Sequence, residues 1–179
     1  VFAELAAQTA RSPQDPAQWV AHMVAREKSI RDAKRLQSRL RAARLREPEA
    51  TMDKVDFTAE RTLDRGAFEA LRGTDWIETH RTVLMSGPCG VGKSFLACAL
   101  GHEACKLDKS VMYFRMTQLF AELASAKQGG TYDRLFSKIK RTDVLMLDDW
   151  GPDLMTPAQR RDLMVFVDAR YERKSTVIT

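Results

Sequence analysis

The feature that most constrains this chain is the segment Gly87–Ser94, GPCGVGKS, which has the spacing GxxxxGK[ST]. Glycines permit positive φ angles and leave room for a ligand close to the backbone. Backbone N–H groups of such a loop point at a polyphosphate, the lysine reaches the β- and γ-phosphates, and the hydroxyl ligates Mg²⁺. The flanking patterns predict a buried strand over Thr82–Met85 and a helix opened by Lys93 and Ser94, whose positive end faces the anion. The segment therefore predicts binding of a nucleoside triphosphate. The predicted cofactor-binding residues are Gly87, Pro88, Cys89, Gly90, Val91, Gly92, Lys93, Ser94 and Phe95.

A second landmark is Asp143–Asp149, DVLMLDD. Its four apolar residues, Val144–Leu147, predict a strand buried on both faces, and two carboxylates follow at the end where open α/β sheets place their ligands. About 55 residues after a phosphate-binding loop, this is the Walker B pattern. Asp148 is predicted to serve Mg²⁺ together with Ser94, and Asp149 to orient and deprotonate the attacking water. The predicted catalytic residues are Lys93, Asp148 and Asp149.

Length and composition set limits on the rest. The chain of 179 residues can form one α/β domain and a smaller appendage, and 44% hydrophobic residues support a real core. No apolar run approaches the roughly 20 residues needed to span a bilayer, and no signal-peptide pattern begins the chain. The three cysteines and three histidines form no zinc-like cluster. We therefore expect a cytoplasmic protein that does not enter a membrane.

The net charge of +5 is concentrated in one segment. Between Arg26 and Arg46 there are nine basic residues and two acidic ones, on a long helix predicted over Ala17–Arg46. Such a helix is typical of a surface that contacts the phosphate backbone of DNA, or of a docking arm for partner subunits; the alternative is a solvated face. A smaller basic group lies on a helix predicted over Tyr132–Lys140. The candidate DNA contacts are Arg31, Lys34, Arg35, Arg39, Arg134 and Lys138, with no base-reading pattern among them.

The remaining patterns complete an α/β alternation. The end of a helix is predicted over Val1–Thr9, a strand over Ser110–Arg115, a helix over Thr117–Ala126 and a strand within Lys174–Thr179. Thr156 and Gln159 have capping-box spacing and open a helix. Its predicted apolar side is Leu163, Met164, Phe166 and Val167, and its arginines Arg160, Arg161, Arg170 and Arg173 either are surface charges or face the ATP of a neighbouring subunit. Phe57 and Leu63 are either ordinary core residues or walls of an adenine pocket.

With both landmarks placed, the sequence resembles the IstB-like ATP-binding proteins. These are transposition helpers of insertion sequences, related to the DnaC helicase loaders within the AAA+ superfamily. The matching stretches are REKSIRDAKRLQSRLRAARL, LDRGAFEALRGTDWIE, VLMSGPCGVGKSFLACALGHEA, VLMLDDWG and ARYERKSTVIT, which together span most of Arg26–Thr179.

The resemblance implies an α/β fold, a P-loop NTPase core of AAA+ type with strand order 5-1-4-3-2. In this chain the core would be truncated after its fourth strand and preceded by an α-helical N-terminal domain, with the domains at residues 1–50 and 51–179. A polar sensor residue would be Thr179 or lie just beyond it, and the arginine finger and lid would follow Thr179. Asp149 stands where AAA+ proteins usually have glutamate, so its carboxylate is one methylene shorter.

The resemblance also implies an activity: ATP hydrolysis, ATP-driven homo-oligomers on DNA, and delivery of target DNA to a partner transposase. Two other functions remain as alternatives. A helicase loader of DnaC type would act on a replicative helicase. A P-loop kinase of a small molecule would be a monomer without affinity for DNA, and it would have no use for the basic Arg26–Arg46 segment.

Overall fold

The computed structural model describes residues 16–58, 63–150 and 155–179. The chain forms two compact units, one ending at Gln37 and the other running from Ser38 to Thr179. The helix end predicted over Val1–Thr9 lies outside the described residues. The domain division predicted at residues 50 and 51 stays a prediction.

Helices and strands alternate through most of the second unit. The helices are α1 (Pro16–Ala43), α2 (Arg65–Ala70), α3 (Asp75–Glu78), α4 (Lys93–Lys106), α5 (Met116–Gln128), α6 (Tyr132–Arg141) and α7 (Pro157–Arg170). The strands are β1 (Thr82–Leu84), β2 (Val111–Arg115), β3 (Val144–Asp148) and β4 (Ser175–Ile178).

Helix α1 ends three residues before the predicted end at Arg46. Arg44 adopts a positive φ of 54°, which breaks the helical path. The chain then turns so that Leu45 is buried, and the Leu45 side chain lies against the backbone of Gly101 on α4. Burial of a large apolar side chain therefore decides where the helix stops, which a pattern of charges could not indicate.

All four strands belong to one parallel sheet in the order β1-β4-β3-β2. This confirms the order that the resemblance implied for the first four strands of the core. The register pairs Arg115 with Asp148, and Leu147 with Ile178. The carboxyl ends of β2, β3 and β4 therefore meet at one edge of the sheet, which is where open α/β sheets bind ligands.

Strand β3 is buried on both faces, as predicted. Leu145 and Leu147 belong to the core formed with helices α5, α6 and α7. Met146 points the opposite way because successive side chains of a strand alternate. Its sulfur lies so close to Gly101 of α4 that a Cβ there would come within 2.6 Å of it. Glycine at 101 thus lets α4 pack directly on the sheet.

Strand β1 differs from the prediction of a buried strand. It lies at an edge of the described sheet and pairs only with β4. Leu84 is 71% exposed, and Thr82 is also exposed. The strand order that the resemblance implied places a fifth strand beside β1, so the exposure of β1 is its exposure within the four described strands.

Helix α7 begins as predicted, with Thr156 and Gln159 forming both hydrogen bonds of a capping box and with Pro157 in the first turn. Its predicted apolar side is only half correct. Leu163 and Phe166 are buried, but Met164 is 56% exposed and Val167 is 37% exposed. The buried residues of α7 are Leu163, Phe166 and Arg170, whose spacing places them on one face of the helix. The last residue of the buried face is therefore an arginine.

The sequence analysis allowed two roles for Arg170, a surface charge or a residue that faces the ATP of a neighbouring subunit. The structure shows neither, because the side chain is buried. It donates hydrogen bonds to the carbonyls of Ile139 at 2.6 Å and Thr142 at 2.8 Å, and to the carbonyl of Ser175. Burial lowers the pKa of Arg170 to about 10, against an opposing effect of Asp143, so it stays charged at neutral pH. The guanidinium thus joins the end of α6 to β4. Arg160, Arg161 and Arg173 are exposed.

We expect Arg170→Ala to lower the free energy of unfolding by about 3 kcal/mol. Carbonyls that lose a charged donor in the interior stay unpaired, and removing one partner of a buried polar contact costs about 1–3 kcal/mol. Urea unfolding followed by circular dichroism measures this loss. Arg160→Ala, an exposed change on the same helix, is the matched control and should stay within about 0.5 kcal/mol of the parent. Equal stability of the two variants would contradict the bridging role of Arg170.

Candidate functional site

The loop between β1 and α4 has the backbone that its glycines predict. Gly90 and Gly92 adopt positive φ angles of 83° and 88°, a region that favours glycine. Gly92 immediately precedes α4 and its carbonyl accepts the first hydrogen bond of the helix, from Leu96 N–H at 3.0 Å. The loop therefore ends at a helix N-terminus, where unpaired N–H groups attract an anion.

The Lys93 side chain folds back over this loop. Its Nζ donates hydrogen bonds to the carbonyls of Gly87 at 2.9 Å and Pro88 at 2.8 Å. The ammonium group is thus held at the mouth of the loop and lies within the lining of the cavity described below. Such a charge can move to a phosphate oxygen with little change in the backbone.

Ser94 and Asp148 connect the two sequence landmarks. The Ser94 hydroxyl donates a hydrogen bond to Asp148 Oδ1 at 2.9 Å, although 54 residues separate them. Ser94 lies in the first turn of α4, and Asp148 is the last residue of β3. The phosphate-binding loop and the paired acids therefore lie next to each other.

Asp148 is almost fully buried and is the centre of a hydrogen-bond network. Besides Ser94, the hydroxyls of Tyr113 and Thr179 donate to its carboxylate. Burial alone would raise the pKa of Asp148, but the hydrogen bonds from Thr179, Tyr113 and Ser94 lower it below its usual value. Asp148 is therefore an anion at neutral pH. Burial and the contact with Asp148 raise the pKa of Tyr113, which stays protonated and donates.

Asp149 lies beside this network and is 40% exposed. Its φ of 57° is unusual for a residue other than glycine. Arg115 Nε lies 2.8 Å from Asp149 Oδ2, and Arg46 Nη1 lies 4.0 Å from the same oxygen. The N–H of Trp150 donates to the Thr179 carbonyl at 2.9 Å, which fixes the turn after the acids. The same Arg46 nitrogen thus lies within 4.0 Å of both adjacent carboxylates.

Three residues of the site were missed by the sequence analysis: Arg46, Tyr113 and Arg115. Arg46 was included only as one of nine basic residues of a helix. Tyr113 and Arg115 lie on β2, and only the register of that strand against β3 brings them to the acids. The sequence offered one signal for Tyr113: its polar hydroxyl lies in a strand of mostly apolar residues, and a buried tyrosine hydroxyl usually has a hydrogen-bond partner.

A cavity of about 820 Å³ lies between the loop and helix α2. Its lining is mostly apolar and includes Leu63, Phe68 and Leu71 on one side and Val91 and Leu96 on the other. Leu63, one of two residues predicted as possible adenine walls, lines it. Phe57 packs edge-to-face on Phe68, with ring centroids 6.2 Å apart, and so supports the wall from behind. A flat apolar ring fits such a lining next to a phosphate-binding loop.

The oxygen donors of the site fit Mg²⁺. The Ser94 hydroxyl and the Asp148 carboxylate lie 2.9 Å apart, and Mg²⁺ usually takes one or two protein oxygens and completes its shell with water and phosphate oxygens. Among the residues described, no cluster of three or more His, Cys, Asp or Glu side chains could cage a metal without such additional ligands.

The candidate DNA contacts are spread over the two units. In the first unit, Lys34 and Arg35 are exposed, and Arg31 pairs with Glu27 at 3.2 Å. In the second, Arg39 pairs with Asp108 at 2.5 Å, which reduces the charge that it offers to a ligand.

Arg134 and Lys138 lie next to each other on α6. They line a shallow pocket of about 420 Å³ together with Glu122 and Thr131. The structure therefore brings these two predicted residues together. No described helix is both long enough and apolar enough to cross a bilayer.

The fold and this geometry define a class: a P-loop protein whose parallel sheet has the AAA+ strand order. The chain matches the family described as IstB-like ATP binding protein over residues 1–179 and belongs to it.

Two relatives show how much of a longer protein the chain covers. An insertion sequence ATP-binding protein of Sinorhizobium fredii is 44% identical over 178 residues, which is 99% of this chain and 72% of that protein. One of Pseudomonas fluorescens is 38% identical over 154 residues, 86% of this chain and 67% of that protein.

Solved structures agree on the fold. The DnaC helicase loader superposes with a TM-score of 0.62 at 20% identity, covering 73% of this chain and 76% of its own. AMPPCP-bound DnaA from Aquifex aeolicus superposes with a TM-score of 0.62 at 19% identity, covering 74% of this chain and 42% of its own. At these identities the likeness concerns the fold alone.

We expect Lys93→Ala to weaken ATP binding roughly 10- to 100-fold, since a hydrogen bond to a charged group contributes about 1.5–3 kcal/mol. Titration with a fluorescent ATP analogue measures the change. Lys106→Ala removes the same charge from the opposite end of α4 and is the matched control. An unchanged dissociation constant for Lys93→Ala would refute the assignment of the phosphate site.

Proposed function

We propose that this chain is the nucleotide-binding part of an ATPase that binds DNA and assists a partner transposase in capturing its target. The observation that supports the ATPase part is the hydrogen bond from Ser94 to Asp148, since it joins the phosphate-binding loop to the strand that ends in the two acids. The names of the relatives, insertion sequence ATP-binding proteins, support the transposition part.

In this proposal the loop Gly87–Phe95 cradles the phosphates of ATP, and the loop cavity takes the adenine ring. Lys93 leaves the carbonyls of Gly87 and Pro88 and contacts the β- and γ-phosphates. Ser94 and Asp148 hold Mg²⁺, which when bound neutralises charge on the phosphate oxygens.

Asp149 has the catalytic role in the proposal. Its carboxylate orients the attacking water and accepts its proton. The different surroundings of the two carboxylates favour this division of labour, because Asp148 is buried and Asp149 is 40% exposed. Arg115 then has to yield its 2.8 Å contact with Asp149 before the carboxylate is free to act on water.

The proposed partners are duplex DNA, bound largely without regard to sequence, a transposase, and further copies of the chain in the presence of ATP. The basic residues of segment Arg26–Arg46 support DNA contact through phosphates. A replicative helicase is the alternative partner, favoured by the likeness in fold to the DnaC helicase loader. Sizing of the full-length protein with ATP and duplex DNA, followed by pull-down of a transposase or a helicase, separates these from a monomeric kinase.

We expect Asp149→Asn to keep ATP bound while lowering the turnover number roughly 10²- to 10⁴-fold, the usual contribution of a positioned general base. Phosphate release by the full-length protein measures turnover, and analogue binding measures affinity. Asp168→Asn, which removes an exposed carboxylate on α7, is the control. Hydrolysis at the parental rate would show that Asp149 is not the base.

We expect Lys34→Gln combined with Arg35→Gln to flatten the salt dependence of DNA binding, because each lost phosphate contact reduces the slope of log K against log salt by about 0.9. Fluorescence anisotropy of labelled duplex DNA at several salt concentrations measures this slope. Arg160→Gln combined with Arg161→Gln removes equal charge from exposed positions on α7. The same slope in both double variants would indicate that the first helix is only a solvated face.

A further inference from the structure

Three arginines surround a small pocket beside the acids of the ATP site. The pocket, which we call the arginine pocket, has a volume of about 200 Å³. It is lined by Arg44, Arg46, Tyr113, Phe114, Arg115, Gln118 and Glu122. None of these lining residues belongs to the phosphate-binding loop or lines the cavity of about 820 Å³ beside that loop.

The lining of the arginine pocket is cationic. Three arginines and one carboxylate, that of Glu122, line the pocket; Arg44 Nη1 lies 3.8 Å from Glu122 Oε1, and Arg46 Nε lies 3.9 Å from Oε1 of Glu47, which is not part of the lining. Gln118 adds an uncharged amide. Guanidinium groups match the oxygens of a phosphate with paired hydrogen bonds, so the chemistry of the lining fits a phosphate group.

Two of these arginines also contact the acids. Arg46 Nη1 lies 3.8 Å from Asp148 Oδ2 and 4.0 Å from Asp149 Oδ2. Arg115 Nε lies 2.8 Å from Asp149 Oδ2. A cation this close to Asp148 opposes the binding of Mg²⁺ to the same carboxylate, since like charges repel most strongly at short range.

The position of Arg44 and Arg46 in the chain indicates where a phosphate group for the pocket would come from. Arg44 and Arg46 are the last two basic residues of the segment Arg26–Arg46, which is the proposed DNA-contacting segment. Arg39 and Arg41 of this segment belong to the same unit as the arginine pocket, so a nucleic-acid strand bound by the segment is one source of a phosphate group for the pocket. Arg46 therefore has two alternative partners, the acids of the ATP site and a phosphate group.

We propose that the arginine pocket binds a phosphate group, from a nucleic-acid strand or as free phosphate, and that its occupation draws Arg46 away from Asp148 and Asp149. This inference rests on the proposed function, because it makes DNA a regulator of the same ATP site. A phosphate group in the pocket then raises the affinity of the site for Mg²⁺. Because such coupling is reciprocal, Mg²⁺ raises the affinity of the pocket for a phosphate group by the same factor.

The first experiment needs no DNA. In the presence of a fluorescent ATP analogue, the Mg²⁺ concentration for half-saturation is measured for the parent and for Arg46→Gln. Loss of the nearby cation should lower it at least about fivefold, the effect between two unit charges about 4 Å apart in water, because Mg²⁺ carries two charges. Arg41→Gln removes the same charge from an exposed position near the end of α1 and should leave it unchanged. An unchanged value for Arg46→Gln would overturn the proposal.

The second experiment repeats this titration with saturating duplex DNA or with inorganic phosphate. Either should lower the half-saturating Mg²⁺ concentration of the parent several-fold, and neither should do so for Arg46→Gln. An effect of DNA alone identifies the strand as the source, and an effect of inorganic phosphate alone identifies the free ion. No effect of either, or an equal effect in Arg46→Gln, would overturn the proposal.

The two experiments also separate this inference from the proposed function. DNA binding by the parent, measured by anisotropy, tests the function without reference to Mg²⁺. If the parent fails to bind DNA but inorganic phosphate lowers its half-saturating Mg²⁺ concentration through Arg46, the proposed DNA role fails while the arginine pocket stands.

Discussion

The site depends on one buried carboxylate. Asp148 is only 2% exposed, and a charge removed from water in this way is tolerated only if hydrogen bonds replace the lost solvent. Hydroxyls from α4, β2 and the end of β4 supply them through Ser94, Tyr113 and Thr179. Each of these elements is thereby held in position at the carboxyl edge of the sheet. The hydrogen bonds that stabilise one buried charge therefore connect the phosphate-binding loop, the sheet and the residue after β4.

A parallel sheet makes this convergence possible. Because parallel strands end at the same edge, residues distant in sequence meet there without any further device. The pairing of Arg115 with Asp148 places a guanidinium beside the acids, and Leu147 opposite Ile178 carries Thr179 to the same place. A turn after α1 adds a second guanidinium to the same side of the site, because the chain changes direction at Arg44, where φ is positive, and Arg46 then lies beside the acids. Charge from the basic segment thus reaches the ATP site.

Helix α7 shows where pattern reasoning fails. The capping box at Thr156 was predictable because both of its hydrogen bonds are local, between residues three apart. Which side of the helix is buried was not, because it depends on the neighbouring α6 and β4. Arg170 is buried where a surface charge or a contact with a neighbouring subunit was expected, and it joins carbonyls of those elements. An arginine in the interior is recognisable only when the acceptors that surround it are known.

The sequence alone determined what is local or shared by every phosphate-binding loop: the glycines at 90 and 92, the strand before Asp148, the order of the elements and the membership of the family. These follow from backbone sterics, from hydrophobic periodicity and from fixed motif spacing. Only the tertiary structure decided that Arg170 is buried and that Arg46, Tyr113 and Arg115 lie beside the acids. Contacts of this kind are set by strand register and packing between distant segments, and no local pattern encodes them.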